Sequence, residues 1–421
     1  MKKSKLVRVV LIVLSLILVI SMAACAKKEI PAAADPTPTQ ETEKKIELAQ
    51  GVTDTEIKIG TIAVQAGVLS FIGQPYVSGM KAYFDMVNEA GGINGRKITL
   101  IAEDDEFKPD KSIAAAEKLI EQDKVFAIVG QLGTPCVLAT ADTVKEAGIP
   151  SVYFGSGAVA MTKLGDNFFP VQPDYESEGK LMAYYVANEV KASKIAVLYQ
   201  NDDVGKEGLT GIKEGLKALG KEAILGEAAE IAFGAADKDF TAQIQKAKAE
   251  NPDFVIIYGL SGGTAGLLKE IEKVEFDVPL LTTYSNADAS FLAIAAAGAP
   301  KMTANLHVMG WLEVEQDKLK PLLDAMAKYY KDVPVNAYTM AGWVAAETFV
   351  AGLKQAGDNL SWEGYIDAMN KLDFKDGLAP HIKYAPGVRQ GVQKMAVSKA
   401  VMKDGAYIFE QLTDFFEFHS K

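Results

Sequence analysis

An α/β protein of two lobes, each a doubly wound parallel sheet, is the fold predicted by this sequence of 421 residues. Three observations predict it. Period-two apolar runs alternate with helical-period runs from residue 56 to residue 154. After a break at Val171-Gln172-Pro173 the alternation starts again. Strand–helix alternation of this kind builds parallel strands covered by helices on both faces. The third observation is composition: 49% apolar and 24% charged residues is the balance of a globular chain, and the length accommodates two or three domains.

The elements follow in order. Residues 56–62 alternate in polarity and read as a strand. Val77, Met80, Phe84 and Val87 recur at helical spacing, with Tyr83 beside them, until Gly91-Gly92 stops the helix. Strands are predicted at 97–102, 125–130 and 150–154, and helices at 109–122 and 134–147. The second unit predicts helices at 176–189, 205–219, 237–250 and 263–274. Its strands are predicted at 194–199, 223–229, 253–258 and 278–284. A short strand at 306–310 precedes helices near 318–331, 337–355 and 361–372, and the tail, 395–411, has strand character.

Charge and composition exclude several function classes. Acidic residues outnumber basic ones by 55 to 44, a net charge of −11. Phosphate backbones attract Lys and Arg clusters, so nucleic acid is a poor partner, and a basic peripheral membrane surface is equally disfavoured. Two cysteines make no disulfide scaffold, and three scattered histidines make no zinc site.

The N-terminus reads as an address. Lys2, Lys3, Lys5 and Arg8 precede an apolar run from Val9 to Ile20, which is short for a bilayer span of about 20 residues. Residues 1–24 are therefore expected to be an export signal. Met22-Ala23-Ala24-Cys25 resembles a bacterial lipobox, which implies lipidation of Cys25 and an extracytoplasmic, lipid-anchored protein. Residues 25–50, with Pro31, Pro36 and Pro38 among polar residues, are expected to be a tether. Cys136 then has no intrachain partner and reads as a buried thiol.

In open parallel sheets, ligands bind beyond the carboxyl ends of the strands. Gly130-Gln131-Leu132-Gly133-Thr134-Pro135 follows a strand and opens a helix; from the residues alone it serves equally as an anion site or as a plain helix cap. Gly155-Ser156-Gly157-Ala158-Val159-Ala160 matches a loose dinucleotide fingerprint. It follows the fourth strand rather than the first, and the chain has no P-loop, so no cofactor is expected. Ser261-Gly262-Gly263-Thr264 and Thr283-Tyr284-Ser285-Asn286 are further strand-end turns. Asp104-Asp105-Glu106 reads as a solvated loop rather than a cation site, and no metal is expected. No G-x-S-x-G elbow occurs and no histidine has a nucleophile partner, so an enzyme is not expected. Trp311, Trp343 and Trp362 read as core or hinge residues.

Taken together, certain segments resemble the bacterial solute-binding lipoproteins of ABC importers, of the branched-chain amino-acid-binding type. They are residues 51–60 (GVTDTEIKIG), 91–97 (GGINGRK), Asp104-Asp105, 125–130 (VFAIVG) and Gly155-Ser156-Gly157-Ala158. The resemblance covers residue 51 to the C-terminus and is densest before Gly157. It implies a type I periplasmic-binding-protein fold with three hinge crossings, near Gln172, Gly310 and Leu378. One lobe would be 51–172 with 311–378, the other 173–310 with 379–421. The implied function is binding of a branched-chain amino acid or related small carboxylate between the lobes and delivery to ABC permease subunits. An aromatic or organic acid, an amide, or a sensory role on the same fold is the alternative.

Carried over by position, the resemblance places Thr134, beside Gly133, on the ligand carboxylate. It places a ligand-binding backbone carbonyl on Gly157, beside Ala158. A second hydroxyl of the family falls on Val159, which has none. The acid that pairs with the ammonium falls on Tyr284, with Asp288 a turn away as a substitute. A buried ammonium without a carboxylate is costly, so this departure points toward acids and amides as well as amino acids. Phe71, Phe107, Tyr175 and Ser261 are candidates for the cleft wall.

Overall fold

The computed structural model describes residues 47–314 and 316–419. The expected export signal, Cys25 and most of the expected tether lie outside these residues. The last residues assigned to the tether are part of the body. The Ala49 N–H donates to Leu360 O at 3.0 Å, and Gln50 Nε2 donates to Ile120 O and Val125 O.

The first sheet is all parallel, in the order β2-β1-β3-β4-β5. Its strands are β1 (Glu56–Ile62), β2 (Lys97–Glu103), β3 (Ile128–Leu132), β4 (Ser151–Gly155) and β5 (Phe168–Phe169). Helices α1 (Ser70–Glu89), α2 (Pro109–Glu117) and α3 (Thr134–Ala147) connect them. The centre of this sheet is apolar on both faces: Ile57, Ile59, Ile128, Val129 and Val152 are fully buried, as a sheet covered on both sides requires.

The second sheet departs from the expectation of a purely parallel one. Strands β6 (Ile195–Gln200), β7 (Glu230–Phe233), β8 (Phe254–Tyr258), β9 (Leu280–Thr282) and β10 (Leu306–Gly310) are parallel. The tail then adds β13 (Ala396–Lys403) antiparallel to β10, and β14 (Ala406–Gln411) antiparallel to β13. The sheet is therefore mixed; the Asp404-Gly405 turn, with positive φ at both residues, closes the tight β13–β14 hairpin. The strand expected at 223–229 is two 3₁₀ turns, Glu222–Ile224 and Glu227–Ala229; the strand begins where Ile231 and Phe233 supply the buried pair. Helices α4 (Tyr175–Tyr184), α5 (Asp203–Ala218), α6 (Thr241–Ala249), α7 (Ser261–Lys273), α8 (Ala289–Gly298) and α9 (Pro300–Ala304) complete this half.

Between β10 and β13 the chain returns to the first half and forms α10 (Gln316–Tyr329), α11 (Ala337–Ala356), α12 (Trp362–Met369) and a small hairpin of β11 (Asp373–Phe374) and β12 (Ile382–Lys383). Helix α11 packs on α1 at backbone contact. A Cβ on Gly342 would lie 1.9 Å from Tyr76 O, and one on Gly79 2.1 Å from Thr339 O. Only glycine fits there.

The chain passes between the sheets at 170–174, at 311–314 and at 384–395. Leu378, where a crossing was expected, lies beside the second passage: its N–H donates to Glu347 of α11 and its O accepts from the Glu313 N–H, both at 2.8 Å. The passages are bonded to one another: Val392 N–H donates to Val171 O at 2.8 Å, and Gln390 Nε2 to Gln172 O at 2.9 Å.

Candidate functional site

A cavity of about 420 Å³ lies between the carboxyl ends of the two sheets. Its wall includes Gly133 and Thr134 after β3, Gly155 at the end of β4, Asp202 after β6, Leu260 after β8, and Tyr284 and Ser285 after β9. This is where an open α/β sheet places a ligand.

On the first side, Gly133 turns the chain into α3 with φ of 97°. A Cβ there would meet the Phe107 ring at 2.4 Å, so glycine both permits the turn and lets Phe107 form the wall. Asp105 positions Phe107: its carboxylate, fully buried, accepts from the Phe107 N–H at 2.9 Å and from Ser112 Oγ at 2.7 Å. The acidic run 104–106 is thus loop architecture, and the described residues contain no cluster able to hold a metal ion. Thr134 Oγ1 lies 2.6 Å from Ser156 Oγ. The Thr134 N–H, in the first turn of α3, makes no hydrogen bond among the described residues, and Thr134 lines the cavity.

An aromatic wall crosses from one half to the other. Ring centroids run from Tyr76 to Tyr153 (6.1 Å), to Trp311 (6.3 Å), to Tyr284 (6.5 Å) and to Tyr175 (6.3 Å, stacked). Gln172, in the first passage, links it: Tyr153 Oη donates to Gln172 Oε1 at 2.8 Å, and Gln172 Nε2 donates to Tyr284 Oη at 3.0 Å. Tyr284 Oη in turn donates to Pro173 O. Trp311, expected in the core or hinge, lines the cavity.

Glu178 of α4 escaped the sequence reading. It is fully buried and accepts from Tyr258 Oη, from Thr283 Oγ1 at 2.7 Å and from the Tyr284 N–H at 2.7 Å. Burial pushes its pKa up to about 7 against the pull of these donors. It fixes the Thr283-Tyr284 turn rather than touching the cavity. Its signal was positional: with Tyr175 and Met182 it lies on the buried face of the helix.

Gly133, Thr134, Phe107, Tyr175 and Tyr284 line the cavity. Three other expected contacts are engaged within the chain. The Gly157 carbonyl accepts from the Tyr175 N–H at 2.8 Å, and a Cβ at Gly157 would lie 2.3 Å from Tyr284 Oη. The Ala158 N–H donates to Ser156 Oγ, and the Val159 N–H to Glu207 Oε2 at 2.9 Å. Asp288 caps α8, accepting from the N–H groups of Ser290 and Phe291, so it does not replace the missing acid. With Phe71 and Ser261 it borders a second depression of about 540 Å³, and Tyr338 borders both spaces.

Among the described residues, no Lys, Arg, His or Cys lines the cavity, and the carboxylates that do are Asp202 and Asp203. Asp202 is the N-cap of α5 and also accepts from Gln200 Nε2. Cys136 is a buried thiol whose pKa is pushed up to about 12 by burial, which makes it a poor nucleophile.

Two α/β halves, connected three times and meeting at a solute-sized cavity, define the architecture of a cleft-type binding protein. The sequence profile described as periplasmic binding protein matches residues 56–406, and the chain belongs to that family. It is 25% identical over 307 residues to an amino acid binding protein of Pseudomonas aeruginosa, covering 72% of this chain and 80% of the relative. It is 24% identical over 322 residues to the Leu/Ile/Val-binding protein of Escherichia coli K12, covering 76% and 84%. Among solved structures it resembles a fatty acid ABC transporter substrate-binding protein from Thermomonospora curvata. The TM-score is 0.72 at 22% identity, covering 88% of this chain and 95% of that one.

Proposed function

We propose that this chain is the extracytoplasmic solute-binding receptor of an ABC importer, held at a membrane through lipidated Cys25. Its solute is a small carboxylate with an apolar body. The lobes comprise 51–172 with 311–383, and 173–310 with 384–421, hinged at the three passages. The observation that carries the reading is the cavity wall: the unpaired Thr134 N–H at the start of α3 beside the Thr134 hydroxyl, an aromatic wall, and no cationic side chain among the described residues. A helix N-terminus holds a carboxylate without a cationic side chain, and closure over an apolar cleft excludes the water that would compete. The names of the relatives and of the structural neighbour fit a carboxylate-bearing solute.

A second reading, a branched-chain amino acid, is favoured by the name of the Escherichia coli relative, and an amino acid more broadly by that of the Pseudomonas aeruginosa one. It requires an acceptor for the ammonium. With the Gly157 carbonyl and Asp288 engaged, that group would fall to Asp202 or Asp203.

Calorimetric titration with hexanoate, isovalerate and phenylacetate against leucine, isoleucine and valine tests both. Binding of the plain acids supports the carboxylate reading. Binding of amino acids alone overturns it in favour of the second, and no binding by either group overturns both. Membrane fractionation of a Cys25→Ser variant tests the anchor: release into the soluble fraction is expected, and unchanged membrane association overturns it.

A further inference from the structure

The hydroxyl oxygens of Thr134 and Ser156 lie 2.6 Å apart, and by distance alone either one can be the donor. Their surroundings decide the direction. Ser156 is buried, and its Oγ already accepts from the Ala158 N–H at 3.1 Å. A hydroxyl has one proton and two lone pairs. If Thr134 donated to Ser156, both Ser156 lone pairs would be used and its own proton would have no acceptor among the described residues. A buried donor without a partner is unfavourable. With Ser156 donating to Thr134, the Ser156 hydroxyl is paired in both directions. The Thr134 proton is then left over. It sits on a half-buried residue that lines the cavity and whose N–H is also unpaired.

We propose that Ser156 is a positioning residue of the solute site: by donating to Thr134 Oγ1 it frees the Thr134 hydroxyl to donate to the solute carboxylate. The bonds then run in one direction. The Ala158 N–H donates to Ser156 Oγ, the Ser156 hydroxyl to Thr134 Oγ1, and the Thr134 hydroxyl to the carboxylate. Each bond polarises the next, and a charged acceptor at the end strengthens the series. Thr134 thereby offers two donors, hydroxyl and N–H, in a wall with no cationic side chain among the described residues. The loop after β4 thus contributes to binding through Ser156, although the Gly157 carbonyl and the Ala158 and Val159 amides are engaged within the chain. The inference rests on the carboxylate reading above and assigns how that end of the solute is held.

The test is a double-mutant cycle, read by calorimetric titration with phenylacetate and hexanoate. It compares the unaltered protein, Ser156→Ala, Thr134→Ala and the double variant. Ser156→Ala is expected to weaken binding roughly fivefold when Thr134 is present, and to change it by less than about twofold when Thr134 is already alanine. A merely structural Ser156, holding the loop through the Ala158 N–H, would weaken binding by the same factor in both backgrounds. Where Ser156→Ala lowers the folded yield, Ser156→Cys takes its place in the cycle. It keeps the shape with a weaker donor, and the same difference between backgrounds is expected at smaller size. Equal factors in the two backgrounds, or no loss in either, overturn the inference and leave the carboxylate reading standing. Failure of both acids to bind the unaltered protein overturns that reading and the inference with it.

Discussion

The carboxylate of Glu207 accepts a hydrogen bond from the Val159 N–H at 2.9 Å and so ties α5 of the second half to the loop after β4 of the first. Burial raises the Glu207 pKa, and the nearby carboxylates of Glu176, Asp203 and Asp174 raise it further. Together with the bond from the Tyr175 N–H to Gly157 O, it engages the chain's own groups in the part of that loop where ligand contacts were expected.

Glu207→Ala removes this tie. A hydrogen bond to a partly exposed charged group contributes about 1 kcal/mol, or roughly fivefold in the ratio of closed to open forms. The unliganded variant is expected to show a larger radius of gyration in small-angle scattering, with solute restoring the compact value. Identical scattering for both unliganded proteins would show that the contact does not hold the halves together.

Thr134→Ala is expected to weaken carboxylate binding about tenfold by calorimetry, because it deletes the hydroxyl at the mouth of α3. The melting temperature should fall only slightly: Thr134 makes no capping bond to its helix, and Ser156 Oγ, which loses its contact with the Thr134 hydroxyl, keeps the bond from the Ala158 N–H. A large loss of stability with unchanged affinity would assign Thr134 to the fold instead.

Two buried acids make stability pH-dependent. Burial pushes Glu178 up to about 7 and Glu347 up to about 8. Their folded values lie above the unfolded ones, so between pH 4.5 and 8 the folded state binds more protons than the unfolded state. Stability is then fully present below the unfolded value and is lost as pH rises through the folded values. The melting temperature is expected to fall from pH 5 to pH 8. Glu347→Gln, which stays neutral, should flatten the upper part of that decline, and an unchanged slope would falsify the assignment.

Trp311 lines the cavity, while Trp343 and Trp362 lie on α11 and α12 outside its wall. Solute binding is therefore expected to change the intrinsic fluorescence, and Trp311→Phe to abolish most of the change while binding persists by calorimetry. An equal signal from the variant would mean that the reporter lies elsewhere.

Much of the fold was legible because local periodicity reports burial. Alternation over 56–62 becomes β1, and the Gly133-Thr134 turn opens α3 where the pattern changes from strand to helix. The strand at 223–229 was misread because Ile224 and Leu225 stand side by side instead of alternating and Gly226 interrupts the run, so the segment folds as two 3₁₀ turns. The site was less legible. Thr134, Phe107, Tyr175 and Tyr284 were found through strand ends and resemblance, whereas Tyr76, Trp311 and Gln172 were not singled out as wall residues.

By itself the sequence determined two alternating α/β units, an acidic body and the strand-end loops that face a cleft, since each follows from the order of apolar, charged and turn-forming residues. Only the tertiary structure decided which polar groups are already paired. Gln172 meets Tyr284 across 112 positions, and Glu178 meets the Tyr284 N–H across 106. A pattern of burial identifies the face on which a polar group lies, but its hydrogen-bond partner is set by how distant segments pack, and that packing set the Thr134 and Ser156 hydroxyls 2.6 Å apart.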